Sequence, residues 1–162
     1  MKKQFSKDYI TEALFLLMDK KDYKTITITD ITNKAGVNRI TFYRNFNSKD
    51  EIINKYLEKS FNEWGKEWEE SGDANIAFRL FKYFSDNRDF IKILYKSNLQ
   101  FFLIDYLVKI CDPSKEENNI LAYSKSMFAY GLFGFCNEWY LRGMPESPES
   151  ILNLLNNNKK EN

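Results

Sequence analysis

A short segment near the N-terminus concentrates side chains that can contact nucleic acid. From Asn38 to Asn45 it runs Asn-Arg-Ile-Thr-Phe-Tyr-Arg-Asn. On a helix, Phe42 and the following Phe46 share one face, so the polar side chains point away from it. Donors, acceptors and cations on a short helix are the groups that contact base edges and phosphates in the major groove of DNA. The residues expected to point outward are Asn38, Arg39, Thr41, Tyr43, Arg44 and Asn45. The angular position of Arg44 also fits a side chain that meets only solvent.

The residues in front of this segment indicate a helix-turn-helix. The run Thr25–Thr29 contains alternating β-branched residues, which locally favours a strand. However, Thr27 followed by Asp30 is an N-cap with an acidic third helical position, so we predict a helix over residues 28–34. Gly36 fits the left-handed position that ends a helix. Two helices joined by Ala-Gly-Val have the spacing of a helix-turn-helix.

Apolar residues recur at helical spacing along the rest of the chain, and we therefore predict an all-α fold of about nine helices. Ser6 is the expected N-cap of the first helix, Ser48 opens a capping box, and Pro148 suits the first turn of the last helix. The predicted helices cover about residues 7–20, 28–34, 39–45, 48–70, 74–86, 88–97, 99–111, 116–142 and 148–156. The predicted domains are residues 1–47, the helix-turn-helix, and residues 48–162, a helical domain for dimerisation and possible effector binding.

The composition disfavours several classes of protein. The 162 residues are 43% apolar and 29% charged, as expected for a soluble globular chain. No apolar run reaches the roughly 20 residues that span a bilayer, and the N-terminus lacks a secretory signal, so we expect a cytoplasmic location and no membrane partner. The chain has no histidine, and Cys111 and Cys136 lie far apart. We therefore predict no metal site, no cofactor and no enzymatic activity.

Charge is unevenly distributed along the chain. The net charge of the whole chain is +1, but residues 1–60 carry 12 basic and 8 acidic residues while residues 61–162 carry 12 and 15. A basic first third fits phosphate binding at that end. Ordinary surface variation explains an asymmetry of this size equally well.

The stretch from Thr27 to Ile53 closely resembles the DNA-binding signature of the TetR family of bacterial transcription regulators. The Ala-Gly-Val turn, the Thr-Phe-Tyr of the third helix, the Phe46 that follows and the Ser-Lys-Asp-Glu after it all match in register. The match covers about residues 6–55. The resemblance implies an N-terminal three-helix DNA-binding domain, a C-terminal helical domain, and a homodimer that binds a palindromic operator in double-stranded DNA.

The resemblance also implies roles for individual residues. It places Thr27 at a phosphate, through its hydroxyl and the helix N-terminus, and Lys49 at the DNA backbone. Residues 38–40 stand where family members approach bases, whereas Thr41, Tyr43 and Asn45 stand where phosphates are held. Ile40 replaces a residue that is commonly small, and Asn45 replaces the usual histidine. The expected DNA-binding residues are Thr27, Asn38, Arg39, Ile40, Thr41, Tyr43, Asn45 and Lys49.

The segment from Met127 to Leu141 is apolar nearly all round, so it must be covered on every side. The helices of a small domain cover one side, and the other side predicts a homodimer interface, with the last helix completing a four-helix bundle. Gly131 and Gly134 permit close backbone approach. A buried central helix in a monomer is the alternative. The predicted interface residues are Tyr130, Gly131, Gly134, Glu138, Ile151 and Leu155.

Aromatic residues are dense between positions 78 and 106. In the TetR family such a lining can surround an inducer pocket, although aromatic residues at helical spacing also form ordinary core. The residues assigned to this pocket are Phe78, Phe81, Phe84, Phe101, Phe102, Tyr106 and Asn137.

Two functions are consistent with these features. The first is a repressor released by a small-molecule effector that draws the recognition helices away from operator spacing. The second is a TetR-like activator or interaction protein regulated by a protein partner, since the short aromatic C-terminal domain resembles activators of dihydroxyacetone-kinase operons. A flat exposed apolar surface without a closed cavity would favour the second.

Overall fold

The computed structural model describes the backbone of residues 2–71 and 76–157, and the side chains of residues 5–63 and 77–154. These residues form nine α-helices and two short 3-10 helices, and no strand occurs among them. The all-α prediction is confirmed. The helices are α1 Lys2–Met18, α2 Ile28–Ala35, α3 Arg39–Tyr43, α4 Lys49–Ser71, α5 Ile76–Asp86, α6 Arg88–Lys96, α7 Phe101–Cys111, α8 Asn119–Leu141 and α9 Pro148–Asn157. The 3-10 helices are Tyr23–Thr25 and Pro113–Lys115.

Helix α1 begins earlier than the sequence predicted. It starts at Lys2, so Ser6 lies inside the helix and is not its N-cap. Lysine and glutamine are good helix formers, which explains why the helix extends beyond a candidate cap. The buried side chains of α1 include Ile10, Ala13 and Leu14, with Met18 buried at its C-terminal end.

Helix α2 starts where the capping signal placed it. The Thr27 hydroxyl accepts a hydrogen bond from the Asp30 amide, and the Asp30 carboxylate accepts one from the Thr27 amide. This reciprocal capping box satisfies two backbone donors and overrides the local strand preference of Thr25–Thr29. Gly36 ends the helix at φ 65°, a left-handed conformation that glycine adopts without strain.

The chain forms two compact units. The first contains Met1–Ser60 and Lys92–Phe102, and the second contains Phe61–Ile91 and Leu103–Asn162. The division into residues 1–47 and 48–162 stays a prediction, because α4 begins in the first unit and continues into the second.

Within the first unit, α1 packs on α2 and α2 packs on α3. The core is built from aliphatic residues of α1, α2 and α4 around two phenylalanine rings. Its fully buried members include Ile10, Leu14, Ile31, Phe42, Ile52, Ile53 and Leu57.

Within the second unit, α5 packs against α8 and α9. The ring of Phe81 lies 5.1 Å from the ring of Phe135 and 5.9 Å from Trp139, measured between centroids. Phe61 stacks on Tyr83 at 3.8 Å. Helix α8 starts slightly later than predicted, because Asn118 caps it after the 3-10 helix.

Among the residues that the structure describes, none of the helices has the length and apolar character needed to cross a membrane.

Candidate DNA-binding site

One buried face of α3 decides which of its side chains reach solvent. Phe42 is fully buried, and its ring lies 6.2 Å from that of Phe46, between centroids. The opposite side carries Arg39, Ile40 and Tyr43, all exposed, with 63% of Ile40 accessible. We call these three residues the recognition surface. It combines a cation, an apolar side chain and a phenol on one short helix.

Local contacts hold the recognition surface in place. The side-chain oxygen of Asn38 accepts a hydrogen bond of 2.8 Å from the Thr41 amide and so caps α3. Arg39 Nη2 donates to the Tyr43 hydroxyl at 3.4 Å, and the guanidinium carbon lies 5.9 Å from the centre of the Tyr43 ring. A guanidinium held by a neighbouring ring and hydroxyl loses less freedom on binding a base or phosphate than an unrestrained one does.

Thr27 is exposed at the start of α2, where the sequence placed a phosphate contact. Its hydroxyl is engaged with Asp30, to which it donates at 2.7 Å. Hydrogen bonds from the Thr27 amide and hydroxyl lower the pKa of the Asp30 carboxyl to about 2. The carboxylate is therefore ionised near neutral pH and keeps α2 capped.

Asn45 does not point outward, and that prediction is wrong. Only 7% of the residue is exposed, and its side-chain amide donates 2.7 Å to the Thr41 carbonyl. The chain leaves α3 after Tyr43 and turns inward toward Phe46, which carries Asn45 with it. Its Oδ1 is buried and has no hydrogen-bond partner among the described residues.

Lys49 directs its ammonium group into the protein. Lys49 Nζ donates to the carbonyl of Ile26 at 2.9 Å and to the carbonyl of Tyr23, and lies 4.2 Å from the centre of the Tyr23 ring. Tyr23 is buried, and its hydroxyl donates to the Asp50 carboxylate. Burial, followed by this hydrogen bond, raises the pKa of the Tyr23 phenol. The sequence analysis missed Tyr23 and Asp50. No sequence motif indicates that the carbonyl of Tyr23 accepts a hydrogen bond from a lysine 26 positions later.

Family models match most of the chain. Residues 10–56 match the model described as bacterial regulatory proteins, tetR family, and residues 74–158 match a TetR model described as a transcriptional regulator C-terminal region. The second match alone covers more than half of the chain. The chain belongs to the TetR family. It is a DNA-binding transcriptional regulator, and the residues of α2 and α3 lie in the segment that defines such proteins.

Several curated TetR-type relatives are similar to this chain. The biofilm operon icaADBC negative regulator IcaR of Staphylococcus epidermidis is 26% identical over 158 residues, covering 84% of this chain and 83% of that protein. The dhaKLM operon activator DhaS of Lactococcus lactis is 30% identical over 101 residues, covering 60% of this chain and 54% of that protein. The uncharacterized regulator YxbF of Bacillus subtilis is 40% identical over 47 residues, which are 29% of this chain and 12% of that protein.

The interface residues predicted for this TetR-family chain lie in different environments. Tyr130, Gly131, Gly134 and Glu138 are exposed on α8. Ile151 is buried in its own chain, where α9 packs on α5, and its place in an interface stays a prediction. The side chain of Leu155 lies outside the described residues.

The exposed side of α8 is wider than the sequence analysis recognised. We call it the α8 outer face, and its residues recur at helical spacing on one half of the helix. They are Ile120, Met127, Phe128, Tyr130, Gly131, Gly134, Phe135, Glu138 and Leu141. Met127 is 74% exposed. The predicted interface residues did not include Ile120, Met127 and Phe128, although their helical period indicates the first part of this face.

The residues assigned to an effector pocket do not all lie in one unit. Phe101 and Phe102 belong to the first unit, where Phe101 is exposed and stacks on Phe102. The other residues of the set lie in the second unit; Phe78, Phe81 and Phe84 are buried there, and Tyr106 and Asn137 are half-buried. The indole nitrogen of Trp139, which the sequence analysis did not single out, is buried without a hydrogen-bond partner in the described part of the chain.

Proposed function

We propose that this TetR-family chain is a cytoplasmic homodimeric repressor that binds a palindromic operator through α3 and is released by a small-molecule effector. The observation that carries DNA recognition is the recognition surface. Arg39 and Tyr43 are exposed and oriented toward each other beside the exposed Ile40, while Phe42 anchors the helix.

The proposed contacts divide by chemistry. Arg39 is suited to guanine, which accepts two hydrogen bonds from a guanidinium in the major groove, and Ile40 is suited to the methyl group of thymine. Thr41 and Tyr43 carry hydroxyls suited to phosphate oxygens, and Thr27 can donate to a phosphate when its hydroxyl exchanges the Asp30 carboxylate for it. Asn38 caps α3 and lies at the start of that helix.

The α8 outer face supports the homodimer. Large apolar side chains at Met127, Phe128 and Leu141 are exposed in the single chain, and a second copy of the same face buries them by two-fold symmetry. An added Cβ at Gly131 or Gly134 would meet no atom within 4 Å in this chain. Their small size is therefore unexplained by the packing of one chain and fits close approach by a partner helix.

Two observations support repression and release. IcaR, a negative regulator, is similar to this chain over 83% of its own length. The buried indole N–H of Trp139 offers an unused donor inside the aromatic core of the second unit, which suits an effector that carries an acceptor oxygen.

The direct test is DNA binding across a salt series. A duplex selected from a random-sequence pool by the wild-type protein serves as the probe, and mobility shifts compare wild type with an Arg39→Ala/Tyr43→Phe double variant. We expect a palindromic sequence, an affinity that falls steeply with salt, and a loss of about a hundredfold or more in the variant. Both side chains are exposed, so an unchanged melting temperature serves as the control for folding.

Selection of no sequence by a folded dimer would contradict the proposal. Binding that depends on salt but not on sequence would contradict the assignment of base contacts to α3. A reporter gene placed behind the selected operator then distinguishes repression from activation by the direction of its response.

A partner-regulated activator is the second candidate. The activator DhaS is 30% identical over 101 residues of this chain, and the exposed apolar α8 outer face is a surface to which a protein can bind. Reporter output that rises with the regulator would favour this candidate over the repressor.

A further inference from the structure

We propose that Lys49 is a positioning residue, which holds the start of α2 in place for specific DNA recognition and does not itself bind phosphate. This inference rests on the proposed DNA-binding function, and it assigns to Lys49 a role different from the backbone contact that the family resemblance implies.

The first argument is the direction of the ammonium group. An ammonium has three N–H donors. Two of them are used by the carbonyls of Tyr23 and Ile26, and the face of the Tyr23 ring lies 4.2 Å from Nζ. A phosphate would therefore compete with these acceptors for the ammonium group, and they belong to the first residue of a 3-10 helix and to its C-cap.

The second argument is that one of the two carbonyls lies next to the N-cap of α2. Ile26 directly precedes Thr27, the N-cap of α2, and both residues have extended backbone conformations. The hydrogen bond from Lys49 to Ile26 therefore fixes the peptide that presents Thr27. Through Thr27 it also fixes the amides of Asp30 and Ile31, which donate to the Thr27 hydroxyl and carbonyl.

The third argument is a second connection between the same two elements. The Tyr23 hydroxyl donates to Asp50, the residue after Lys49 in α4. Two adjacent residues of α4 thus bind the same segment. Lys49 donates to the carbonyls of Tyr23 and Ile26, and Asp50 accepts a hydrogen bond from the Tyr23 hydroxyl. This arrangement sets the position of α2 relative to the first turn of α4.

The test compares specific with non-specific DNA binding. The probes are the duplex selected by wild type and a scrambled duplex of equal length and composition. The variant is Lys49→Met, which keeps most of the side-chain volume, and the matched control is Lys59→Met, which removes an exposed lysine from the same helix. All measurements are made below the melting temperature of each protein.

A positioning residue predicts a specific result. Lys49→Met should lose about tenfold in affinity for the selected duplex, while its affinity for the scrambled duplex and the slope of log K against log salt match those of Lys59→Met. Equal losses on both duplexes, with a salt slope smaller by about one, would identify a phosphate contact and overturn the proposal. A lower melting temperature with both affinities unchanged would also overturn it, because the role would then be structural only.

Hydrogen exchange tests the same inference without DNA. Loss of the Lys49 contacts should speed exchange of the Asp30 and Ile31 amides about tenfold, and leave the Asp19 amide at the end of α1 unchanged. Unchanged exchange at Asp30 and Ile31 would overturn the proposal. If wild type selects no DNA sequence, the proposed function fails, and the exchange result still decides whether Lys49 positions α2.

Tyr23→Phe provides a variant that keeps the charge and the ring. It removes only the hydrogen bond to Asp50, so it should reduce specific affinity in the same direction by a smaller factor. If Lys49→Met does not fold, a wild-type ratio of specific to non-specific affinity in Tyr23→Phe would overturn the proposal.

Discussion

The recognition surface on α3 and the α8 outer face are both exposed, and they differ in chemistry and in support. The recognition surface has a cation and a phenol that contact each other beside one apolar side chain, on a helix of five residues held by caps. The α8 outer face consists of large apolar side chains and glycines, with Glu138 as its one charged residue, on a helix of 23 residues. In the single chain, the recognition surface exposes hydrogen-bonding groups and a positive charge to solvent, whereas the α8 outer face exposes apolar side chains.

The difference indicates which partner each surface suits. Polar groups held in fixed positions bind favourably to a partner with matching hydrogen-bond sites and negative charge, such as DNA. A long apolar row gains from a partner that removes it from water over its whole length, and an identical helix does so by symmetry. A substitution on one surface should therefore leave the function of the other largely intact.

The largest effect is expected on the α8 outer face. Met127→Asp should weaken the dimer by about 3–6 kcal/mol, since each of two copies loses a buried methionine worth about 1.5–3 kcal/mol. Sedimentation velocity should then show monomers at concentrations at which wild type is dimeric. Leu16→Asp, an equivalent change at another exposed apolar position, is the control and should remain dimeric. A dimeric Met127→Asp would break the assignment of this surface to a second copy.

The next effect is expected on the recognition surface. Ile40→Ala should weaken binding to the selected operator by about 1–2 kcal/mol, because it removes an apolar contact to a base. The melting temperature should hardly change, since Ile40 packs little within its own chain. Ile110→Ala, an exposed isoleucine on α7, should leave operator affinity at the wild-type value. Equal affinity in the two variants would remove Ile40 from the base contacts.

The capping box at the start of α2 should make a pH-dependent contribution to the free energy of unfolding. Thr27→Ala should lower the free energy of unfolding by about 1 kcal/mol at pH 7. Hydrogen bonds from the Thr27 amide, the Thr27 hydroxyl and Lys21 depress the pKa of Asp30 from 3.8 to about 2, so the carboxylate stabilises the fold above pH 3.8 and this contribution disappears as pH falls through 2. Thr27→Ala removes the part that depends on the hydroxyl and keeps the amide. The difference between wild type and variant in chemical denaturation should shrink over that interval.

Thr29→Ala, in the same turn of α2, is the control for this experiment. The Thr29 side chain makes no hydrogen bond to Asp30 among those described, so the change in unfolding free energy caused by Thr29→Ala should not follow the titration of the Asp30 carboxyl. A Thr27→Ala difference that is constant from pH 7 to pH 2 would disprove the proposed coupling.

The smallest effect is expected at Gly131, whose surroundings differ between the isolated chain and the proposed dimer. Gly131→Ala should stabilise the isolated chain by about 0.5–1 kcal/mol, because alanine is the better helix former and its Cβ meets no atom within 4 Å. In the dimer the same Cβ should obstruct the partner helix and raise the dissociation constant. Asn153→Ala on α9 should raise helix stability without weakening the dimer. A tighter Gly131→Ala dimer would show that no partner helix approaches this position.

Local signals were sufficient for most of the helix-turn-helix. The Thr27 cap, the Gly36 terminator and the Asn38 cap act within a few residues of chain, so the sequence alone placed α2 and α3. The start of α1 was misplaced because Ser6 is only one of several residues compatible with a helix there.

The candidate site was predicted less completely than the fold. Arg39, Ile40 and Tyr43 face solvent as expected, because helical geometry relates them directly to buried Phe42. Asn45 and Ile151 are buried, since neighbouring elements of the chain cover them. Lys49 turns toward carbonyls of residues far from it in sequence, and no local pattern encodes that contact.

The sequence by itself determined the order of the helices, the caps of α2 and α3, the family and the residues of α3 that reach solvent, because each depends on spacing and on interactions between near neighbours. The tertiary structure alone decided that Lys49 and Asp50 hydrogen-bond to Tyr23, that Asn45 turns inward, and how far along α8 the exposed half extends. Those outcomes depend on which elements meet across long stretches of chain, and the free energy of burial and hydrogen bonding at such meetings is not encoded in any local pattern.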